Sequence, residues 1–98
     1  MPEDPFNALE RVVDERTFIE FLRALAADRK DETAKEREQP SSPYGPSPNG
    51  WENGTIENFL HAASAWATAS INGLPSLPRS TNPWRRCAEI LYAGKIYE

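Results

Sequence analysis

The sequence predicts an all-α domain of three main helices packed as a small bundle, with room for a short N-terminal fourth helix and long connecting loops. Two observations carry this. Three segments repeat apolar residues at three- and four-residue spacing, each behind a residue suited to cap a helix. The stretches between them are rich in Pro, Ser and Gly, which stop helices. A chain of 98 residues supports one hydrophobic core, so residues 1–98 read as a single domain.

The clearest helical pattern covers residues 14–31. Asp14 can cap it, and Val13 can staple against Phe18. Phe18, Phe21, Leu22 and Leu25 then share one face, while the charged run Arg29-Lys30-Asp31-Glu32 reads as a fraying end or a solvated turn. Residues 39–50 hold four Pro, three Ser and two Gly, so they form a loop, expected to be the most mobile interior segment, with Tyr44 as its one large anchor. A second helix spans roughly 56–70 behind the cap Thr55, with Ile56, Phe59, Leu60, Ala63, Trp66, Ala67 and Ser70 on one face and Glu57 and His61 outward. Asn72-Gly73 terminates it, and the apolar connection 74–78 can cover part of the core.

The third main helix starts at Asn82-Pro83, a cap followed by a residue suited to the first helical position. Trp84, Cys87, Ala88 and Leu91 line one side; Arg86, Ile90, Ala93 and Tyr97 form a second stripe. A helix with two such stripes is central or meets a partner. Ile90 and Tyr97 are therefore expected either under the N-terminal segment, through Phe6 or Leu9, or in a protein interface. Asp4-Pro5 can start the short fourth helix. The predicted core is Phe18, Leu22, Leu25, Phe59, Leu60, Ala63, Trp66, Trp84, Ala88 and Leu91.

The formal charge of −4 arises in the first 38 residues, which hold eleven acidic and seven basic side chains. That balance speaks against nonspecific nucleic-acid or anionic-membrane binding. Met1-Pro2-Glu3-Asp4 lacks the pattern of a secretory signal, so a cytoplasmic location is the expectation, and Asn53-Gly54-Thr55 is then a chance glycosylation match.

Chemistry is sparse. His61 with Glu57 one turn earlier, and Cys87 elsewhere, are the raw material of a thiol nucleophile. Yet the wheel points His61 outward and places Cys87 on an apolar face as a buried structural cysteine. There is no phosphate loop, zinc-binding HExxH or calcium-loop pattern, so no enzyme activity, metal or other cofactor is expected. Arg85 and Arg86 sit in the first turn of the third helix, where the helix dipole disfavours cations. They read as an anion or acidic-peptide contact, or as partners of the acidic N-terminal region.

The segments Val13-Asp14-Glu15-Arg16-Thr17-Phe18-Ile19-Glu20-Phe21-Leu22, Trp51-Glu52-Asn53-Gly54-Thr55-Ile56-Glu57-Asn58-Phe59-Leu60, Ala65-Trp66 and residues 82–98 together resemble a DUF7660-like family of small bacterial domains of unknown function. The Trp-Glu-Asn, Asn-Pro-Trp and Lys-x-Tyr-Glu signals carry the resemblance in that order. It implies a helical bacterial domain and transfers no catalytic residue. The expected function is a protein-interaction or accessory module of the immunity type, with Arg85, Arg86, Ile90 and Tyr97 as interaction residues, in a monomer or weak homodimer. The alternative is a small-molecule or catalytic domain built on Trp51, Trp66 and Trp84.

Overall fold

A computed structural model describes residues 3–42, 45, 47–72 and 79–97. Among these residues four helices follow in chain order: α1 (Pro5–Glu10), α2 (Glu15–Glu38), α3 (Ile56–Ile71) and α4 (Pro83–Ile96). Among the described residues there is no strand, and no helix is long and apolar enough to cross a membrane.

Each helix begins where local chemistry dictates. The Asp4 carboxylate accepts from the Phe6 amide, with Pro5 in the first turn. Asp14 and Thr17 cap each other reciprocally: Thr17 N–H donates to Asp14 Oδ1 at 2.9 Å and Asp14 N–H to Thr17 Oγ1 at 3.0 Å. Thr55 Oγ1 accepts from Asn58 N–H, and Asn82 Oδ1 from the Trp84 and Arg85 amides. Val13, expected to staple against Phe18, is 61% exposed. Asn72 caps the end of α3; Gly73 and the apolar connection 74–78 lie outside the described residues, as does Tyr44.

The charged end of α2 does not fray; the helix runs on to Glu38. Asp31 pairs with Lys35 one turn on at 2.8 Å, and Asp28 and Glu32 are buried. Asp28 and Glu32 therefore give α2 an inward-facing polar side, while Lys30 stays exposed. Part of the proline-rich loop is also anchored: Ser47 Oγ donates to the Trp51 carbonyl, and the Asn49 side chain reaches α2.

The core lies between α1, α2 and α4. Ala8, Leu9, Val12, Phe21, Leu25 and Ala88 are buried together, with Phe18, Trp51, Phe59, Leu91 and Tyr92 packed around them. The N-terminal segment thus covers α4, but on the side of Ala88 and Tyr92, where the Phe6 ring lies 5.8 Å from Tyr92. Ile90 and Tyr97, both half-buried, share the opposite face with Ala93 and Gly94. That face belongs to α3, as Gly94 shows by its contact with Phe59.

Among the four helices, the backbone of α3 approaches α4 only, with no Cα of α3 within 8 Å of one in α1 or α2, and its Phe59 side chain alone reaches the edge of the core cluster. This corrects the predicted core. Leu22, Ile56 and Leu60 are 38%, 80% and 55% exposed because α2 and α3 do not close over them, and Trp84 is 37% exposed. Small residues bring α3 against α4, with Ala62, Ala63, Ala93 and Gly94 all buried.

A Cβ built on Gly94 meets both the Phe59 carbonyl oxygen and its ring at 2.9 Å. Gly94→Ala gains up to about 1 kcal/mol of helix propensity, but the overpacking costs about 1–3 kcal/mol because the backbone of α3 must shift. The expected outcome is a net loss in a denaturant melt, while a gain in stability contradicts the close α3–α4 approach.

Candidate functional site

Two features stand out: a buried polar cluster and an open apolar groove. The cluster forms where the segment after the proline-rich loop passes between α2 and α4. Asp28 Oδ2 accepts from Lys95 Nζ at 2.8 Å and from the Trp51 indole N–H at 2.8 Å, with Asp28 and Lys95 both buried. One turn on, Glu32 Oε1 accepts the backbone N–H groups of Asn49 and Trp51, each at 3.3 Å, and its other oxygen pairs with Arg29. Arg29 and Lys95 also lie 5.4 and 5.6 Å from the Trp51 ring centroid.

The segment continues onto α4. Glu52 N–H donates to the Lys95 carbonyl at 2.9 Å, and Asn53 Nδ2 to the carbonyls of Gly94 and Tyr97 at 2.9 and 2.8 Å. Those carbonyls end a helix and lack partners within it. Trp51, Glu52 and Asn53 thus form a clamp from α2 to the last turn of α4, and Gly94, Lys95 and Tyr97 receive it. Donors and acceptors in the clamp satisfy one another, as a structural cluster requires.

At its rim Asp31 accepts from Lys35 and Asn49, which hold its carboxyl below the usual range. Glu36 is lowered in the same way by Ser41. Whatever stability these contacts contribute is present above the ordinary carboxylate pKa and lost as the pH falls through the depressed folded value. Burial raises the Tyr92 hydroxyl, as do the charges of Asp4 and Asp28.

The groove opens where α2 and α3 stand apart. Leu22, Ala26 and Arg29 form one wall, Ile56 and Phe59 the other, and Leu91 also lines the hollow of about 310 Å³. Beside it Ile19 and Leu60 are exposed, and Ile56 is 80% exposed. On the adjoining outer face of α2, Arg16, Arg23, Lys30 and Arg37 recur every seven residues, about 10.5 Å apart along the helix. All four are exposed, and none is ion-paired among the described residues. The acids Asp28, Asp31, Glu32 and Glu36 are engaged by Lys95, Lys35, Arg29 and Ser41; Glu15, Glu20 and Glu38 are exposed on the same helix, so the row is a basic stripe on a helix of mixed charge.

The arginines expected to bind a partner make contacts within the domain. Arg85 Nη1 donates to the Glu10 carbonyl at the end of α1 (3.0 Å), with Glu89 at 3.7 Å. Arg86 Nη2 donates to Ser70 Oγ at 2.7 Å, and its guanidinium lies 5.3 Å from the Trp66 ring centroid. Each arginine therefore fastens a neighbouring helix to α4. His61 is exposed. Cys87 is exposed too, against the expectation of burial, because its side of α4 faces the gap between α2 and α3. No group of three or more His, Cys, Asp or Glu among the described residues is placed to hold a metal.

The tryptophans do not form one pocket: Trp51 belongs to the clamp, Trp66 packs under Arg86, and Trp84 lies on Phe18 at 5.7 Å. The sequence missed Asp28 and Glu32 as site builders, since their signal is only acidic residues one helical turn apart, in phase with Phe21 and Leu25.

A small all-α domain with a clamped helix end and an open apolar groove is the class defined by this fold. Within it, residues 14–98 match a family described as "Family of unknown function (DUF7660)", and the chain belongs to that family. No curated protein and no solved structure matches it.

Lys95→Met leaves the Asp28 carboxylate buried without its cation, an expected loss of about 3–5 kcal/mol. Adding Asp28→Asn removes the stranded charge while keeping an acceptor for Trp51. The double variant should therefore be more stable than Lys95→Met alone in urea unfolding, whereas additive losses contradict the coupling.

Proposed function

We propose that this domain is a non-enzymatic interaction module that seats one amphipathic helix of a protein partner in the α2/α3 groove. The observation that carries the reading is the exposure of Leu22, Ile56 and Leu60 along a gap that a closed bundle would fill. Apolar side chains concentrated in one concave strip mark a contact surface rather than scattered surface residues. Helix-in-groove recognition suits this shape, with partner anchors at helical spacing.

The basic stripe on α2 sets the partner's charge: its helix carries acidic residues on the flank that faces Arg16, Arg23, Lys30 and Arg37. A nucleic acid offers no apolar face for the groove, and the net charge of −4 disfavours a polyanion. In a bacterial cell such a module acts as an accessory or immunity-type partner, cytoplasmic, and a monomer or weak homodimer when free.

Ile56→Glu and Leu60→Glu place charge at positions already exposed, so each should change stability by less than about 1 kcal/mol. Crosslinked capture from the host should lose the partner with either substitution. It should also weaken with Arg23→Glu plus Lys30→Glu, and with rising salt. A captured partner indifferent to the groove substitutions, or unfolding caused by Leu60→Glu, contradicts the proposal.

A further inference from the structure

On the other side of α3 lies a second cleft, independent of the groove. Phe6, Leu9, Trp66, Tyr92 and Ile96 give it an apolar lining, and it encloses about 270 Å³. It shares Arg79 and Arg86 with an adjoining polar hollow of about 350 Å³ that also touches Ser80 and Thr81. Two guanidinium groups thus stand where an apolar cleft meets a polar one.

Their charge is not neutralised from within. Among the described residues Arg86 donates to the neutral acceptors Ser70 Oγ and the Ala67 carbonyl. Its Nη1 is buried, and no group among the described residues accepts from it. A buried, charged donor without an acceptor is costly, and native proteins seldom leave one so. Arg79 is exposed and makes no ion pair among the described residues. Glu89 also lines the cleft, but it faces Arg85.

We propose that this cleft binds a carboxylate carried on an aromatic body, with Arg86 and Arg79 holding the carboxylate and the apolar walls holding the ring. A guanidinium presents paired N–H donors that match a carboxylate. Trp66, Tyr92 and Phe6 provide aromatic surface for a planar group. The volume suits one or two fused rings, well below a drug-sized ligand. A free aryl carboxylic acid and the C-terminal aromatic residue of a peptide present this same chemistry.

The full chain, labelled with nitrogen-15, is titrated with 2-naphthoate and with a tripeptide ending in Phe with a free carboxylate. The uncharged controls are 2-naphthamide and the amidated tripeptide. At least one carboxylate probe should shift the Trp66 indole signal with a dissociation constant of about 1 mM or tighter, as expected for a ligand of this size. Which acid binds tells the two sources apart. Its amide should bind about tenfold more weakly, and Arg79→Ala should weaken the acid by about the same factor. Arg79 is exposed, so that variant keeps the melting temperature of the parent, which separates lost binding from lost fold. Arg86→Gln, which can still donate to Ser70, should abolish the response. No response to either acid, an equal response to acid and amide, or binding that survives both arginine substitutions overturns the proposal.

Discussion

Everything else in this domain hangs on the carboxylate of Asp28. It is buried, it takes a proton donor from Lys95 and another from Trp51, and those residues lie 67 and 23 positions away in the chain. A buried ion pair is weak evidence for stability in itself, because desolvation offsets much of the attraction. Its value lies in specificity. With Lys95 facing Asp28, the last turn of α4 is fixed beside the middle of α2. With Trp51 on the same oxygen, the connection between α2 and α3 has one path across the molecule. The Asn53 amide then caps α4 from that path.

The clamp also decides where α3 goes. The chain leaves Asn53 at the end of α4, so Ile56 begins α3 beside that end, and Gly94 lets Phe59 come close. From there α3 runs back along α4 to Ser70, where Arg86 holds it. Helix α2 meets another side of α4, and α1 covers a third. With α1 and α2 in contact and α3 alone, the bundle keeps two seams. One is the apolar groove bordered by the basic stripe of α2, and the other is the cleft with its two arginines. Both proposed binding surfaces are consequences of one helix being docked on a single neighbour.

The helices were legible because their signals are local. Asp4, Asp14, Thr55 and Asn82 announce each start, and the spacing of Phe18, Phe21 and Leu25 gives the buried side of α2. What was not legible depends on distant pairing. Leu22, Leu60 and Trp84 carry the periodicity of core residues, and the separation of α2 from α3 leaves the two leucines exposed. The run from Arg29 to Glu32 has the composition of a solvated end; the inward role of Asp28 and Glu32 depends on Trp51, Asn49 and Lys95, which no local pattern reveals. Arg85 and Arg86 stood out because cations oppose the dipole of a helix start. They are held there by carbonyls of Glu10 and Ala67 and the hydroxyl of Ser70, at the ends of other helices. The Trp-Glu-Asn signal and the Lys-x-Tyr part of the Lys-x-Tyr-Glu signal that marked the family lie in the two halves of the clamp.

Native-state hydrogen exchange tests most directly whether α3 is a separately docked element on a clamped three-helix core. Protection by α1, α2 and α4 should share one high opening free energy, read at Phe21, Leu25 and Ala88. Amides of α3, read at Ala63 and Ala67, should exchange through a smaller opening that leaves that core protected. If α3 exchanges only together with Phe21 and Ala88, the four helices form one closed cooperative unit and the account is wrong.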